Sequence, residues 1–275
     1  MARGTAQRSP SPWLALLLLI ILFLLWRFVF PTSGPSVGPS TQSGGPCGDK
    51  FAYGQPQVTT SDPTTFLCRS QYAVLHDDKR LVPLYSAERL VGRDLGASVA
   101  RTEDFRPDPD LPEGERAELA DYRGSGFDRG HMTPAADSDT EQEMSQSFLL
   151  SNMVPQNGTM NSGIWSGLES ATRACAQSVG QVFVITGPVL GATSRTVGPD
   201  GVEVPGELYK IVLNAQSGDF RAFLMPNRAL RRTTNFSRYE VPIGEVERAT
   251  GLRFFPNGNV DTGKRGALCP DAYGS

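Results

Sequence analysis

Histidine is scarce in this sequence of 275 residues, which contains only His76 and His131. Imidazole is the usual side-chain base near neutral pH because its ordinary pKa is ~6.5. Any mechanism that takes up a proton through imidazole therefore depends on one of these two residues. His76 falls in a predicted hairpin turn, where we expect it to be exposed to solvent and to have no catalytic role.

Lysine is also rare, since only Lys50, Lys79, Lys210 and Lys264 stand among the 26 basic residues. The formal net charge of −3 excludes a uniformly basic protein that coats nucleic acid. The charge is unevenly spread, however, because residues 221–275 carry nine basic and five acidic groups. A local cationic face near the C-terminus therefore remains possible.

Acidic residues are absent from the first 46 positions, which contain three arginines and an unbroken apolar run over residues 13–26. As a helix, residues 13–30 would reach roughly 27 Å, nearly the hydrocarbon thickness of a bilayer. We predict that residues 1–30 form a membrane anchor, with a cleaved signal peptide as the alternative. The arginines before the run then place the rest of the chain outside the cytoplasm, periplasmic or extracellular, and secreted if the segment is cleaved.

A flexible linker is predicted at residues 31–46, because Pro, Gly and Ser dominate this stretch and cannot form a core. The folded domain is then expected to comprise residues 47–275. Its four cysteines form no C-x-x-C pair, which argues against a structural zinc site. Two disulfides are expected in an exported domain, and three connectivities are possible. We favour Cys47–Cys68 with Cys175–Cys269, which would tie each end of the domain to its body.

Hydrophobic periodicity predicts an α+β fold. Residues 70–85 read as one hairpin, residues 208–214 and 220–225 as a second, and residues 181–190 as a buried central strand. Apolar side chains recur at helical spacing over residues 161–179. Shorter helices are expected at residues 86–91, capped by Ser86, and at residues 246–250. Because the strands arise mostly as hairpins, we expect a largely antiparallel central sheet flanked by helices.

Two polar segments concentrate the chemically useful side chains. Residues 127–137 contain His131 between charged neighbours, and residues 151–169 contain Asn161 at the start of the predicted helix. An asparagine at that position is either a helix N-cap or an amide oxygen offered to a hard cation.

Residues 120–131, which end in Asp128-Arg129-Gly130-His131, together with residues 134–137 resemble the DRGH signature of the DNA/RNA non-specific endonucleases, the ββα-metal nucleases. The second polar segment resembles that family's block in which a metal-binding asparagine opens a helix. Pro226-Asn227 and residues 247–255 resemble segments that come later in the sequences of the same family. The resemblance covers residues 68–255 in three ordered blocks, and it implies a ββα-metal active-site motif within the α+β fold.

Specific roles follow from the resemblance. His131 would be the general base and Asn161 the direct protein ligand of one Mg²⁺, for which Mn²⁺ can substitute. Glu169 would hold a metal-bound water, and Asn152 would support the His131 loop or the phosphate. Arg101 falls where the family has an arginine that faces the phosphate, although its flanking residues match only in part. The implied reaction is hydrolysis of DNA and RNA phosphodiesters to products with a 5′-phosphate.

Candidate substrate-binding side chains are Arg129, beside His131, and the cluster Arg228, Arg231 and Arg232, with Arg238 nearby. For that cluster, an ordinary exposed surface is an equally good interpretation. Two rival functions remain: a catalytically silent nucleic-acid-binding domain of the same fold, and an exported hydrolase with another substrate. Plasmid cleavage with and without a chelator distinguishes the three.

Overall fold

The computed structural model describes residues 47–96, 99–191, 195–233 and 235–274. The predicted anchor at 1–30 and linker at 31–46 lie outside these ranges. Within them, no helix combines the length and the apolarity needed to cross a bilayer.

A six-stranded sheet is the centre of the described chain, and every adjacent pair of its strands is antiparallel. The α+β prediction with a largely antiparallel sheet is therefore confirmed. Numbered in chain order, the twelve strands of the described residues are β1 Gln57–Val58, β2 Thr64–Cys68, β3 Tyr72–Asp77, β4 Val82–Val91, β5 Asp128–His131, β6 Met153–Gln156, β7 Gln181–Val189, β8 Thr196–Val197, β9 Val202–Glu203, β10 Glu207–Leu213, β11 Phe220–Pro226 and β12 Leu252–Arg253. The sheet order is β11-β10-β7-β4-β3-β2, and the pairs β5-β6, β1-β12 and β8-β9 form separate ribbons.

One long helical stretch and several short helices accompany the strands. The long stretch starts as α3 Gly158–Met160, passes through a π-helical turn at Asn161–Trp165 and continues as α4 Ser166–Val179. The predicted helix at 161–179 is thus present, with a local distortion at its start. The other α-helices are α1 Leu119–Tyr122, α2 Glu141–Ser147, α5 Ile243–Thr250 and α6 Pro270–Tyr273.

Both faces of the sheet are buried, which explains the almost unbroken apolar run of β7. Side chains alternate along β10 because successive residues of a strand point to opposite faces. Leu208 and Val212 belong to the core beneath α4, whereas Tyr209 and Ile211 belong to the core beneath α5. The sheet therefore lies between two helical layers, and its α4 side carries the site described below.

Two local predictions were wrong. Residues 86–91 form the end of β4, because backbone pairing with β3 and β7 outweighs the weak helical pattern of this stretch. His76 lies inside β3 with its side chain fully buried, and its Nδ1 is 3.0 Å from Oδ1 of Asp78. The hairpin turn begins after Asp77, whereas the prediction placed His76 in the turn. His76 is therefore a strand residue, and its side chain is buried.

The predicted disulfide pairing is confirmed. Cys47 bonds to Cys68 at the end of β2, and Cys175 in α4 bonds to Cys269 beside α6. The second bond fixes the C-terminal segment to the helix that follows Asn161.

Candidate active site

A short antiparallel ribbon and the helix after it hold the sequence motifs together. Strand β5 pairs with β6 so that His131 stands opposite Met153, and α3 begins two residues after β6 ends. Gly130 permits this close pairing, because an added Cβ would collide with the side chain of Gln156 on β6. The arrangement is the ββα motif that the resemblance implied.

Asn152 fastens the loop that follows His131. Its Oδ1 accepts a hydrogen bond from the backbone N–H of Thr133 at 3.0 Å, and its Nδ2 donates to the carbonyl oxygens of Thr133 and Ser147 at 2.9 and 3.0 Å. The side chain is completely buried, so its three partners account for its polar atoms. Asn152 thus supports the His131 loop from behind.

The imidazole of His131 packs against two phenylalanine rings. Its centroid lies 5.7 Å from that of Phe105 and 5.0 Å from that of Phe148. Each ring in turn carries a guanidinium: Arg129 Cζ is 4.0 Å from the Phe105 centroid, and Arg101 Cζ is 4.9 Å from the Phe148 centroid. Stacking on aromatic faces orients both cations beside the imidazole.

These neighbours determine the protonation of His131. Burial, together with the positive charges of Arg101 and Arg129, lowers the pKa of His131 to about 3. Nε2 is enclosed and has no hydrogen-bond partner among the described residues. At neutral pH the ring is therefore uncharged and able to accept a proton, as a general base requires.

Asn161 is the first residue of the π-helical turn. Asn157 caps the helix just before this turn, since its Oδ1 accepts the backbone N–H of Met160 at 3.2 Å. Asn161 Nδ2 donates to Asp128 Oδ2 at 3.0 Å, which fixes the amide so that its oxygen is left for another partner. π-Turns of this kind are frequent at functional sites because they redirect one side chain.

Glu169 lies two turns further along, facing a group of buried charges between α4 and the sheet. Burial raises its pKa to about 7, with Lys210 and Arg173 opposing the increase and Asp137 adding to it. Arg173 pairs with Asp137 at 2.7 Å, and Lys210 Nζ donates to Thr186 Oγ1 at 2.7 Å. A carboxyl group with this pKa changes its charge near neutral pH.

A cleft of about 490 Å³ opens in front of His131. We call it the His131 cleft, and its lining brings together the predicted residues Arg101, Arg129, His131 and Asn161. Five further lining side chains, which precede the DRGH motif in the chain, had no predicted role: Phe105, Leu119, Tyr122, Arg123 and Phe127. Tyr122 is 6% exposed, and its hydroxyl has no partner among the described residues.

The predicted cluster Arg228, Arg231 and Arg232 does not line the His131 cleft. These arginines line a separate groove of about 750 Å³ together with Arg238. No residue of the described ranges lines both openings. The sequence could not distinguish one continuous basic surface from two.

The oxygen donors near the cleft fit a hard divalent cation. The amide nitrogen of Asn161 donates to Asp128, its amide oxygen has no hydrogen-bond donor among the described residues, and Glu169 adds a carboxylate on the same helical stretch. Among the described residues, no three His, Cys, Asp or Glu side chains converge as a metal-binding group. So few protein donors suit a hard divalent cation that keeps most of its bound water.

This ββα site with its histidine and asparagine defines a class of nuclease, and the comparison with known proteins agrees. The sequence pattern of the DNA/RNA non-specific endonucleases matches residues 50–261. The chain belongs to this family, whose members are metal-dependent endonucleases.

Individual relatives show the same likeness. Nuclease C1 of Cunninghamella echinulata var. echinulata is 38% identical over 228 residues, which are 76% of this chain and 90% of the relative. Mitochondrial endonuclease G of Homo sapiens is 36% identical over 204 residues, 69% of each chain. Among solved structures, an EndoG/EndoGI complex matches with a TM-score of 0.72 and 28% identity, over 82% of this chain and 100% of the matched one.

The predicted extracytoplasmic, membrane-anchored location is wrong. Relatives from Schizosaccharomyces pombe, Danio rerio and Homo sapiens are named mitochondrial nucleases, which contradicts an exported, membrane-attached protein. The prediction depended on an apolar, acid-free segment with flanking arginines. Several kinds of targeting segment share those features, so the segment did not discriminate between destinations.

Proposed function

We propose that this chain hydrolyses the phosphodiester bonds of both DNA and RNA, with His131 as general base and Asn161 as the direct ligand of one Mg²⁺. The observation that carries the proposal is the packing of the His131 imidazole against Phe105 and Phe148 beside two arginines, in the cleft that also contains Asn161.

Each side chain has a task in this reaction. His131 takes a proton from the attacking water: its low pKa leaves the ring unprotonated before substrate binds, and the negative charge of the bound phosphate raises that pKa toward the range in which a base works well. Arg101 and Arg129 hold the non-bridging phosphate oxygens, since a guanidinium matches phosphate with two parallel hydrogen bonds. Asn152 is a positioning residue that acts through the His131 loop.

The cation would be held by Asn161 directly and by Glu169 through water. When bound, it supplies Lewis-acid charge for the departing 3′-oxygen, so that the product carries a 5′-phosphate. Mn²⁺ should substitute because it accepts the same oxygen ligands. Contacts to phosphate carry no base information, which supports action on both DNA and RNA.

The experiment that tests the proposal is cleavage of a supercoiled plasmid and of a structured RNA by the purified chain. Both should be cut in Mg²⁺ or Mn²⁺, neither in excess EDTA, and end-labelling should find 5′-phosphates. The Asn161→Ala variant should be inactive at ordinary Mg²⁺ concentrations. Full activity in EDTA, or normal activity of that variant, would contradict the mechanism.

A further inference from the structure

The groove lined by Arg228, Arg231, Arg232 and Arg238, here called the arginine groove, contains no acidic lining residue. All four guanidinium groups are exposed, and no carboxylate of the described chain lies within 4.0 Å of any of them. Every Asp and Glu of the sequence falls within the described ranges. The positive charge of the groove is therefore not neutralised by the protein's own side chains.

The segment that carries these arginines begins after β11, and one side chain attaches its start to the ββα motif. Asn227 Oδ1 accepts the backbone N–H of Asn157 at 2.8 Å, and Nδ2 donates to the carbonyl oxygens of Pro155 and Pro205 at 2.9 and 3.0 Å. Asn157 is the residue that caps the helix leading to Asn161. The arginine segment thus begins at the corner between β6 and α3.

The far end of the same segment lies on the long helical stretch. A Cβ added at Gly167 would be 3.5 Å from the ring of Phe236, so the segment approaches α4 between Asn161 and Glu169 in sequence. The arginine groove is therefore fixed to the catalytic motif at two points, although none of the described residues lines both the groove and the His131 cleft.

We propose that the arginine groove is a second binding site for the nucleic-acid backbone, occupied by substrate that extends beyond the His131 cleft. The inference rests on the proposed function. Uncompensated guanidinium groups attract phosphate and release its counterions, a contribution that depends on salt and not on sequence. The groove then adds affinity for long substrates and leaves the chemical step unchanged.

The test compares two fourfold variants of the full chain. The groove variant carries Arg→Gln at positions 228, 231, 232 and 238. The control variant carries Arg→Gln at positions 89, 93, 248 and 253, which are also exposed and line neither opening. Both variants have four fewer positive charges than the wild type, so a difference between them reports position and not net charge.

Two measurements are made on each variant. Binding of a labelled duplex of about 30 base pairs is measured in the catalytically impaired His131→Ala background across a salt series. Cleavage of the same duplex and of a dinucleotide is measured with an intact His131. Circular dichroism and a thermal melt establish that both variants fold, and single Arg231→Gln and Arg232→Gln variants replace the groove variant if it does not.

The groove variant should bind the duplex about tenfold more weakly than the control at ~100 mM salt. When the logarithm of the binding constant is plotted against the logarithm of the salt concentration, the slope for the groove variant should be shallower. The difference should be about 0.9 for each phosphate that the groove no longer neutralises. KM for the duplex should rise, while kcat/KM for the dinucleotide should stay within about twofold of the wild type. Equal duplex binding by the two variants, or an equal loss on the dinucleotide, would overturn the proposal. If the wild type cleaves neither the duplex nor the dinucleotide, the proposed function is contradicted instead.

Discussion

Two aromatic rings and two guanidinium groups give His131 its chemical character. An ordinary exposed histidine is partly protonated at neutral pH, whereas the surroundings of His131 keep its pKa near 3. The neutral ring is available as a base over the whole physiological range. The negative charge of a bound phosphodiester would raise that pKa again and help the ring to hold the proton it has taken.

The first prediction concerns this base. His131→Ala should leave folding nearly intact and lower kcat by about 10³-fold, because the only other imidazole, His76, is buried in β3 next to Asp78 of the following turn. The measurement is initial-rate cleavage of plasmid at saturating Mg²⁺. His76→Gln is the control, which should lower stability but leave kcat unchanged. An alanine variant that keeps a tenth of the wild-type rate would rule out His131 as the base.

The second prediction concerns Glu169 and pH. Because burial raises its pKa to about 7, the carboxyl group becomes charged only as pH rises through neutrality. If the ionised form holds the outer water shell of the cation, kcat/KM should rise through about pH 7. Glu169→Gln should abolish this rise and lower activity ~10–100-fold, as losses outside the direct ligands commonly do. A wild-type profile that is flat between pH 6 and pH 8 would contradict this role.

The same carboxyl group makes a prediction about stability. Its native pKa lies above the ordinary value of 4.5, so the native state retains a proton that the unfolded chain releases between pH 4.5 and pH 7. Stability is therefore lost as pH rises through this window. Glu169→Gln should raise the free energy of unfolding by about 3 kcal/mol at pH 8 and by little at pH 4.5. Urea denaturation of the variant and the wild type at both pH values measures this difference in unfolding free energy. A variant that is no more stable than the wild type at pH 8 would contradict a raised pKa at Glu169.

What the sequence could predict about single side chains depended on the kind of signal. His131 and Asn161 stand inside recognisable motifs, and the structure brings both into one cleft. Phe105 and Phe148 lie far from His131 in sequence, and nothing in their neighbourhoods marks them as its packing partners. The burial of His76 was missed because it depends on where a hairpin turn begins, which a shift of two residues changes.

Among the elements, the β5-β6 ribbon has little tolerance for added volume at Gly130. Gly130→Ala would place a methyl group against the Gln156 side chain, so the strands must separate or the glutamine must move. We expect a loss of about 1–3 kcal/mol in unfolding free energy, as overpacking commonly costs, together with reduced activity because His131 ends the same strand. Gly163→Ala is the matched control, since no atom lies within 4 Å of its added Cβ. Equal behaviour of the two variants would contradict a packing role for Gly130.

Long elements were predictable because many residues contribute to the same periodic signal. The helix after Asn161, the central strand β7 and the hairpin of β10 and β11 all follow from such patterns. Residues 86–91 were not, because six residues carry too weak a signal to compete with backbone pairing on both sides of β4. The π-turn at Asn161 was beyond prediction, since its hydrogen-bond shift leaves no mark on the apolar spacing.

Across the whole molecule, the two disulfides differ in the length of chain that they close. Cys47–Cys68 spans 21 residues near the start of the described domain, whereas Cys175–Cys269 spans 94 and joins α4 to the C-terminal segment. A cross-link removes more freedom from the unfolded chain when its loop is longer. The longer loop should therefore contribute more stability.

The last prediction follows from this difference. Replacing Cys175 and Cys269 together by Ala should lower the free energy of unfolding by about 4–5 kcal/mol, against about 3 kcal/mol for the same change at Cys47 and Cys68. Urea denaturation of both double variants under non-reducing conditions measures the difference. The variant that lacks Cys175 and Cys269 should also lose activity at a lower temperature than the other double variant, because α4 continues from the turn that carries Asn161. If replacing Cys47 and Cys68 lowers the free energy of unfolding more than replacing Cys175 and Cys269, loop length does not determine the contribution of these bonds. Native packing around Cys47 would then determine it.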